Sequence, residues 1–99
     1  MEIMNRKAIL DFLKKNKPEI ETRFGVTKLG LAGSYARDGA SESSDIDIIV
    51  SLRSSNQFRS FFGLLHFLQD SLHSKIDLAT ENSLKPIVLK SISKDIYYV

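Results

Sequence analysis

Two aspartates open an otherwise apolar run in Ser44-Asp45-Ile46-Asp47-Ile48-Ile49-Val50, and no feature of the chain restricts its fold more. β-Branched residues at this density favour a strand. Strand side chains alternate faces with period two, so carboxylates at i and i+2 project from the same face. Held that close they repel, unless positive charge lies between them. Hard divalent cations such as Mg2+ use such oxygen donors, keep several waters and complete their shell from substrate phosphates. The plain alternative is that Asp45 caps a loop and Asp47 faces solvent on an edge strand. The upstream segment Gly33-Ser34-Tyr35-Ala36-Arg37 argues against it. A Gly-Ser pair just before a short helix presents free backbone N–H groups to phosphate oxygens, and glycine leaves room for their approach. Together the two segments predict a cation site beside an anion site.

The elements around these segments follow from periodicity. Ile9, Phe12 and Leu13 fall at i, i+3, i+4 within 6–15, which predicts an amphipathic helix with Asn5 as its N-cap. Pro18 suits the first turn of a second short helix through about Phe24, and Gly25 suits its exit. Residues 26–32 read as a strand pointing at Gly33, 34–38 as one helical turn, and 45–51 as the second strand. Phe58, Phe61, Phe62, Leu65, Leu68 and Leu72 form a helical stripe that predicts the principal core helix. Residues 75–80 alternate as a third strand, Pro86 starts a last helix through about Ile92, and 95–99 is an extended tail. The order predicts one α+β or α/β domain over residues 1–99, a small mixed sheet packed by helices. The long helix between the second and third strands permits a parallel crossover.

Composition narrows the chemistry. Ninety-nine residues, 42% of them hydrophobic, suffice for one modest core. With no cysteine, disulfides, thiolate zinc sites and cysteine nucleophiles are excluded. The start of the chain lacks a signal-peptide core, and no apolar run approaches a membrane span, so a soluble cytoplasmic protein is expected. Fourteen Lys and Arg face twelve Asp and Glu, a net charge of +2. That small excess shows no basic stripe with interleaved aromatics, and direct nucleic-acid binding is not expected.

Asp77 lies on the polar face of the third strand. A third carboxylate there would complete a set able to hold two metals and take a proton from an attacking hydroxyl; an exposed aspartate or an ion pair with Lys75 is the alternative. Asp70, near a helix end opposite the apolar stripe, is a poorer ligand. Arg37 could stabilise phosphate charge or pair with Asp38 or Glu42. His66 and His73 read as surface or satisfied histidines, Phe58, Phe61 and Phe62 as core, and Lys85, Lys90 and Lys94 as a solvated face.

At Gly33-Ser34-Tyr35-Ala36-Arg37 and Ser44-Asp45-Ile46-Asp47-Ile48-Ile49-Val50 the chain resembles the DNA polymerase β-like nucleotidyltransferase superfamily, whose signature is Gly-Ser, a spacer, then Asp-x-Asp. Its length, the Lys85-Pro86 helix and the Tyr-Tyr-Val end look like the minimal nucleotidyltransferase (MNT) subgroup, and the resemblance covers nearly the whole chain. It implies ATP as nucleotide donor, two Mg2+ ions, Asp45, Asp47 and Asp77 as catalytic, metal-binding carboxylates, and Gly33 and Ser34 at the triphosphate with Arg37 beside them. Proteins similar to this often act as antitoxins paired with a HEPN-domain ribonuclease toxin, and some transfer AMP to a tyrosine of that toxin. So small a domain has little room for an acceptor pocket of its own, which favours a protein acceptor. The expected function is thus a Mg2+-dependent protein adenylyltransferase acting as antitoxin. The alternatives are a binding-only antitoxin with a vestigial site, and transfer to a small molecule or an RNA end.

Overall fold

The Asn5 carboxamide accepts the Ala8 N–H at 2.9 Å and so opens helix α1, Arg6–Phe24, in the manner of an N-cap. Gly25, at a φ of 68°, closes it by donating its N–H to the Glu21 carbonyl at 3.0 Å, the left-handed exit that glycine adopts at least cost. In the computed structural model, which describes residues 5–37, 45–81 and 96–99, the two helices expected over 6–15 and 18–24 are one. Pro18 removes a backbone bond and costs about 3 kcal/mol in a helix interior. Ile20 and Phe24 nevertheless continue the buried stripe begun by Ile9 and Leu13. Burying two such side chains is worth about 3–6 kcal/mol, so packing carries the helix through the proline.

Strands β1 (Val26–Ala32), β2 (Ile46–Leu52), β3 (Ile76–Thr80) and β4 (Tyr97–Tyr98) form one mixed sheet in the order β3-β2-β1-β4. β1 pairs antiparallel with β2 and with β4, and β2 pairs parallel with β3. A parallel pair needs a crossover, and helix α3, Gln57–Leu72, supplies it. The four-residue helix α2, Gly33–Ala36, follows β1 directly. Leu29, Leu31, Ile46, Ile48, Val50, Ile76 and Leu78 are buried with α1 and α3 in one core. The expected α/β architecture, a small mixed sheet backed by helices, is therefore present. The tail beyond 95 joins it as a fourth strand. The helix expected over 86–92 lies outside the described residues.

The aromatic stripe expected to form the core face of α3 is not the face that the helix buries. Leu64, Leu68 and Leu72 are the residues that α3 buries, whereas Phe58 is 76% exposed and Phe62 41%. The apolar surface of α3 is wider than one stripe, and the ridge at i, i+4, i+8 through Leu64 lies on the sheet. Phe67, absent from the expected stripe, packs against Phe12 and Phe24 of α1 at ring separations of 6.3 and 5.8 Å. The first turn of α3 projects past this contact. There Phe58, Phe61 and Phe62 line an open groove with Leu52 and Leu78.

On the sheet face away from the helices, one carboxylate ties all four strands. Glu81, which follows β3, accepts the Tyr98 hydroxyl of β4 at 2.7 Å and the Ser51 hydroxyl of β2 at 3.1 Å, with Lys28 Nζ of β1 at 3.8 Å. The Tyr98 bond, helped by Ser51 and Lys28 and opposed by burial, holds the Glu81 carboxyl below its ordinary value. Burial, then the Glu81 bond and charge, push the Tyr98 phenol up to about 12. Because Tyr98 is half exposed, its bond is worth about 0.5–1 kcal/mol. Tyr98→Phe should lower the thermal midpoint at pH 7 by roughly 2–8 °C. A lowered carboxylate pKa contributes stability above its unfolded value and loses it on acidification, so the deficit should shrink towards pH 3. An unchanged midpoint at pH 7 would show that the tail is held by other contacts.

Candidate active site

Strand register builds the site. Ala32 of β1 stands opposite Asp47 of β2, and Asp47 stands beside Asp77 of β3, so one row crosses three strands. Antiparallel and parallel partners in register share a face, and this row lies on the face opposite the helices. At its β1 end the chain leaves the strand through Gly33, whose φ is 69°. A side chain there would place its Cβ 2.7 Å from Asp47 Cγ and 3.0 Å from Asp47 Cβ. The backbone of α2 thus rests directly on the Asp47 carboxylate, a contact that only glycine permits.

Asp47 and Asp77 stand side by side across the parallel strand pair, two carboxylates in one register row. The Asp47 carboxyl is accordingly pushed up to about 6, first by burial, then by Asp77 and the charge of Asp45, while Arg37 opposes the shift. Asp77 is exposed on the outermost strand of the sheet. Asp45 lies just before β2 with Oδ2 3.9 Å from Lys75 Nζ, so Lys75 pairs with Asp45 and not with Asp77. Arg37 is exposed at the end of α2, its N–H bonded to the Gly33 carbonyl at 3.2 Å. Ser34 is half-buried within α2.

Among the described residues no three His, Cys, Asp or Glu side chains converge closely enough to form a metal cage. Asp47 and Asp77 instead make an open pair of hard oxygen donors that repel unless protonated. That donor set suits a cation such as Mg2+, which takes one or two carboxylates and leaves its other positions to water and phosphate. Asp70 and His66 are exposed on α3, and His73 ends that helix at a φ of 50° with its N–H on the Gln69 carbonyl. The groove beside Phe58 has no carboxylate among its lining residues, so the acidic chemistry lies elsewhere. Two arrangements had no signal in the sequence: the Glu81–Tyr98 tie, and Arg6, which reaches from the start of α1 to the end of α2. Both depend on long-range contacts that no local motif announces.

A family model described as a nucleotidyltransferase domain matches residues 9–99. The protein adenylyltransferase MntA of Thermococcus cleftensis is 33% identical over 99 residues, spanning 100% of both chains. MJ0128 of Methanocaldococcus jannaschii, a candidate protein adenylyltransferase, is 38% identical over 92 residues, 92% of this chain and 94% of that one. Among solved structures, a toxin–antitoxin crystal structure with AMP-PNP superposes with a TM-score of 0.65 at 23% identity, covering 96% of this chain and 72% of that chain. A tri-AMPylated HEPN toxin of Shewanella oneidensis in complex with its MNT antitoxin gives 0.56 at 22%, covering 95% and 67%. At such identities the structural likeness speaks for the fold.

Proposed function

The chain belongs to the nucleotidyltransferase domain family, and from that premise we propose that it transfers AMP from ATP to a tyrosine hydroxyl on a HEPN-domain toxin and so acts as its antitoxin. The observation that carries this reading is the Asp47–Asp77 pair with the Gly33 backbone resting on it. Relatives of matching length named for protein adenylyltransfer support the acceptor class.

In this reading Gly33 and Ser34 hold the triphosphate through the backbone of α2, and Arg37 adds a positive charge beside it. Asp45, Asp47 and Asp77 are the acidic groups of the site. A divalent cation held by Asp47 and Asp77 would supply neutralisation of the triphosphate charge; Asp45 needs to leave Lys75 to join them. The acceptor oxygen attacks the α-phosphorus, one O–P bond forms, and the bond to pyrophosphate breaks in line. Asp77 accepts the hydroxyl proton. Its exposure on the outermost strand suits an acceptor carried on another protein's surface.

The test is the intact mass of a HEPN-domain partner after incubation with this protein, ATP and Mg2+, beside an Asp45→Asn/Asp47→Asn control. Gains in steps of one AMP, roughly 329 Da, that vanish in the control are the expected result. A partner silenced by binding with no change of mass would replace catalysis with occlusion.

A further inference from the structure

Helix α2 has only four residues, and Ala32 before it offers no side-chain cap. Its position must therefore come from neighbours. Tyr35 and Ala36 are buried in the core, and a third tie arrives from the far end of the sequence. Arg6 Nη1 donates to the Ala36 carbonyl at 3.2 Å and to the Tyr97 hydroxyl at 3.2 Å. Its guanidinium also stacks on the Tyr97 ring, 5.0 Å from the centroid. Tyr97 is itself fixed in β4, opposite Leu31 of β1. Three segments distant in sequence thus meet at one guanidinium. Such planar, multi-donor stacking is particular to arginine and poorly copied by lysine.

The Ala36 carbonyl belongs to the same peptide unit as the Arg37 N–H, which is bonded back to the Gly33 carbonyl. A peptide unit is planar, so fixing its oxygen from one side and its N–H from the other sets its orientation. That orientation decides where the Arg37 side chain leaves the backbone, and Arg37 ends the one-turn helix whose first residue, Gly33, rests on Asp47. We propose that Arg6, braced by Tyr97, is a positioning residue that holds the Ala36–Arg37 peptide and thereby aims Arg37 at the nucleotide phosphates. The proposal rests on the nucleotidyl-transfer reading above and deepens it by naming what orders the arginine.

The experiment measures Mg2+-dependent AMP-PNP binding by calorimetry, and KM and kcat for ATP, in the full chain. Arg6→Ala should raise KM and the AMP-PNP dissociation constant about tenfold, the effect of losing one charge-assisted hydrogen bond, with kcat within about threefold. Tyr97→Phe, which keeps the ring and removes the hydroxyl, should give about threefold, and Arg6→Lys should fall between the two, because it keeps a donor and loses the stacking. The deciding measurement is a cycle: if Arg6 acts through Arg37, then Arg6→Ala adds nothing to AMP-PNP affinity in an Arg37→Ala background. An undiminished Arg6→Ala effect in that background, or Arg6→Ala and Tyr97→Phe affinities equal to that of the unsubstituted protein, would overturn the proposal. Absence of AMP-PNP binding by the unsubstituted protein would instead remove the nucleotide-transfer reading, and the proposal with it.

Discussion

Asp47→Asn is expected to abolish AMP transfer and, in the absence of divalent cation, to make the protein more stable at pH 7. The loss of activity should be about a thousandfold or more, the scale set by losing roughly 4 kcal/mol of charge stabilisation at a phosphoryl centre. The gain in stability follows from the same carboxylate. Asp47 is raised from 3.8 to about 6 by burial and by its acidic neighbours Asp77 and Asp45. A folded-state pKa above the unfolded value means that the native protein binds the proton more tightly. The stabilisation is complete below about pH 4 and is lost as pH rises through 6. At pH 7 the ionised pair opposes folding. Two pKa units amount to about 3 kcal/mol without solvent, and screening of this half-buried group reduces that to about 1 kcal/mol. The amide removes the charge, so the midpoint should rise by about 4–8 °C at pH 7 and converge with the unsubstituted protein near pH 4. Millimolar Mg2+ should reverse the order, because a cation that needs the carboxylate stabilises only the protein that has it. Thermal melts from pH 4 to 8, with and without Mg2+, check this. An Asp47→Asn midpoint at or below that of the unsubstituted protein across the range would mean that the carboxylates are not held in mutual repulsion.

The difference between what could be read in the sequence and what could not follows the range of the interactions. The Asn5 cap, the Gly25 exit and the strands over 26–32, 45–51 and 75–80 rest on local signals and recur in the structure with shifts of one residue. The spacing of Asp45 and Asp47 fixes their common face, but only the parallel register of β2 and β3 brings Asp77 to Asp47. Nothing local shows that Lys75 turns to Asp45. Pro18 is a strong local signal overruled by the burial of Ile20 and Phe24, which depends on the whole core. The same competition misplaces the aromatic stripe: ring size suggests core, yet the sheet accepts the leucine ridge and leaves Phe58 in solvent. The two-residue strand β4 has no propensity signal of its own. Its place comes from pairing with β1 and from Tyr98 reaching Glu81.

Gly33→Ala should also abolish transfer, but for a steric reason that reverses the stability effect. At a φ of 69° an L side chain costs about 1 kcal/mol in backbone strain. The added Cβ would stand 2.7 Å from Asp47 Cγ, closer than contact allows, and the partner is a short side chain anchored on a strand. Either α2 lifts from the sheet or the Asp47 carboxylate turns away from Asp77. A displacement of about 1 Å at a reacting centre is worth a hundredfold or more in rate. Strain and clash together should cost about 2–3 kcal/mol of stability. The two contributions separate in an Asp47→Gly background, where the carboxylate and the Cβ that would stand 3.0 Å away are both gone and only the strained backbone remains. There Gly33→Ala should cost about 1 kcal/mol, and the shortfall from additivity measures the contact directly. Additive costs would place the strain wholly in the backbone and would remove the role assigned to Gly33 as the surface on which Asp47 rests. Non-additive costs, with activity lost in each single variant, would tie the glycine of the first motif to the aspartate of the second through one van der Waals contact.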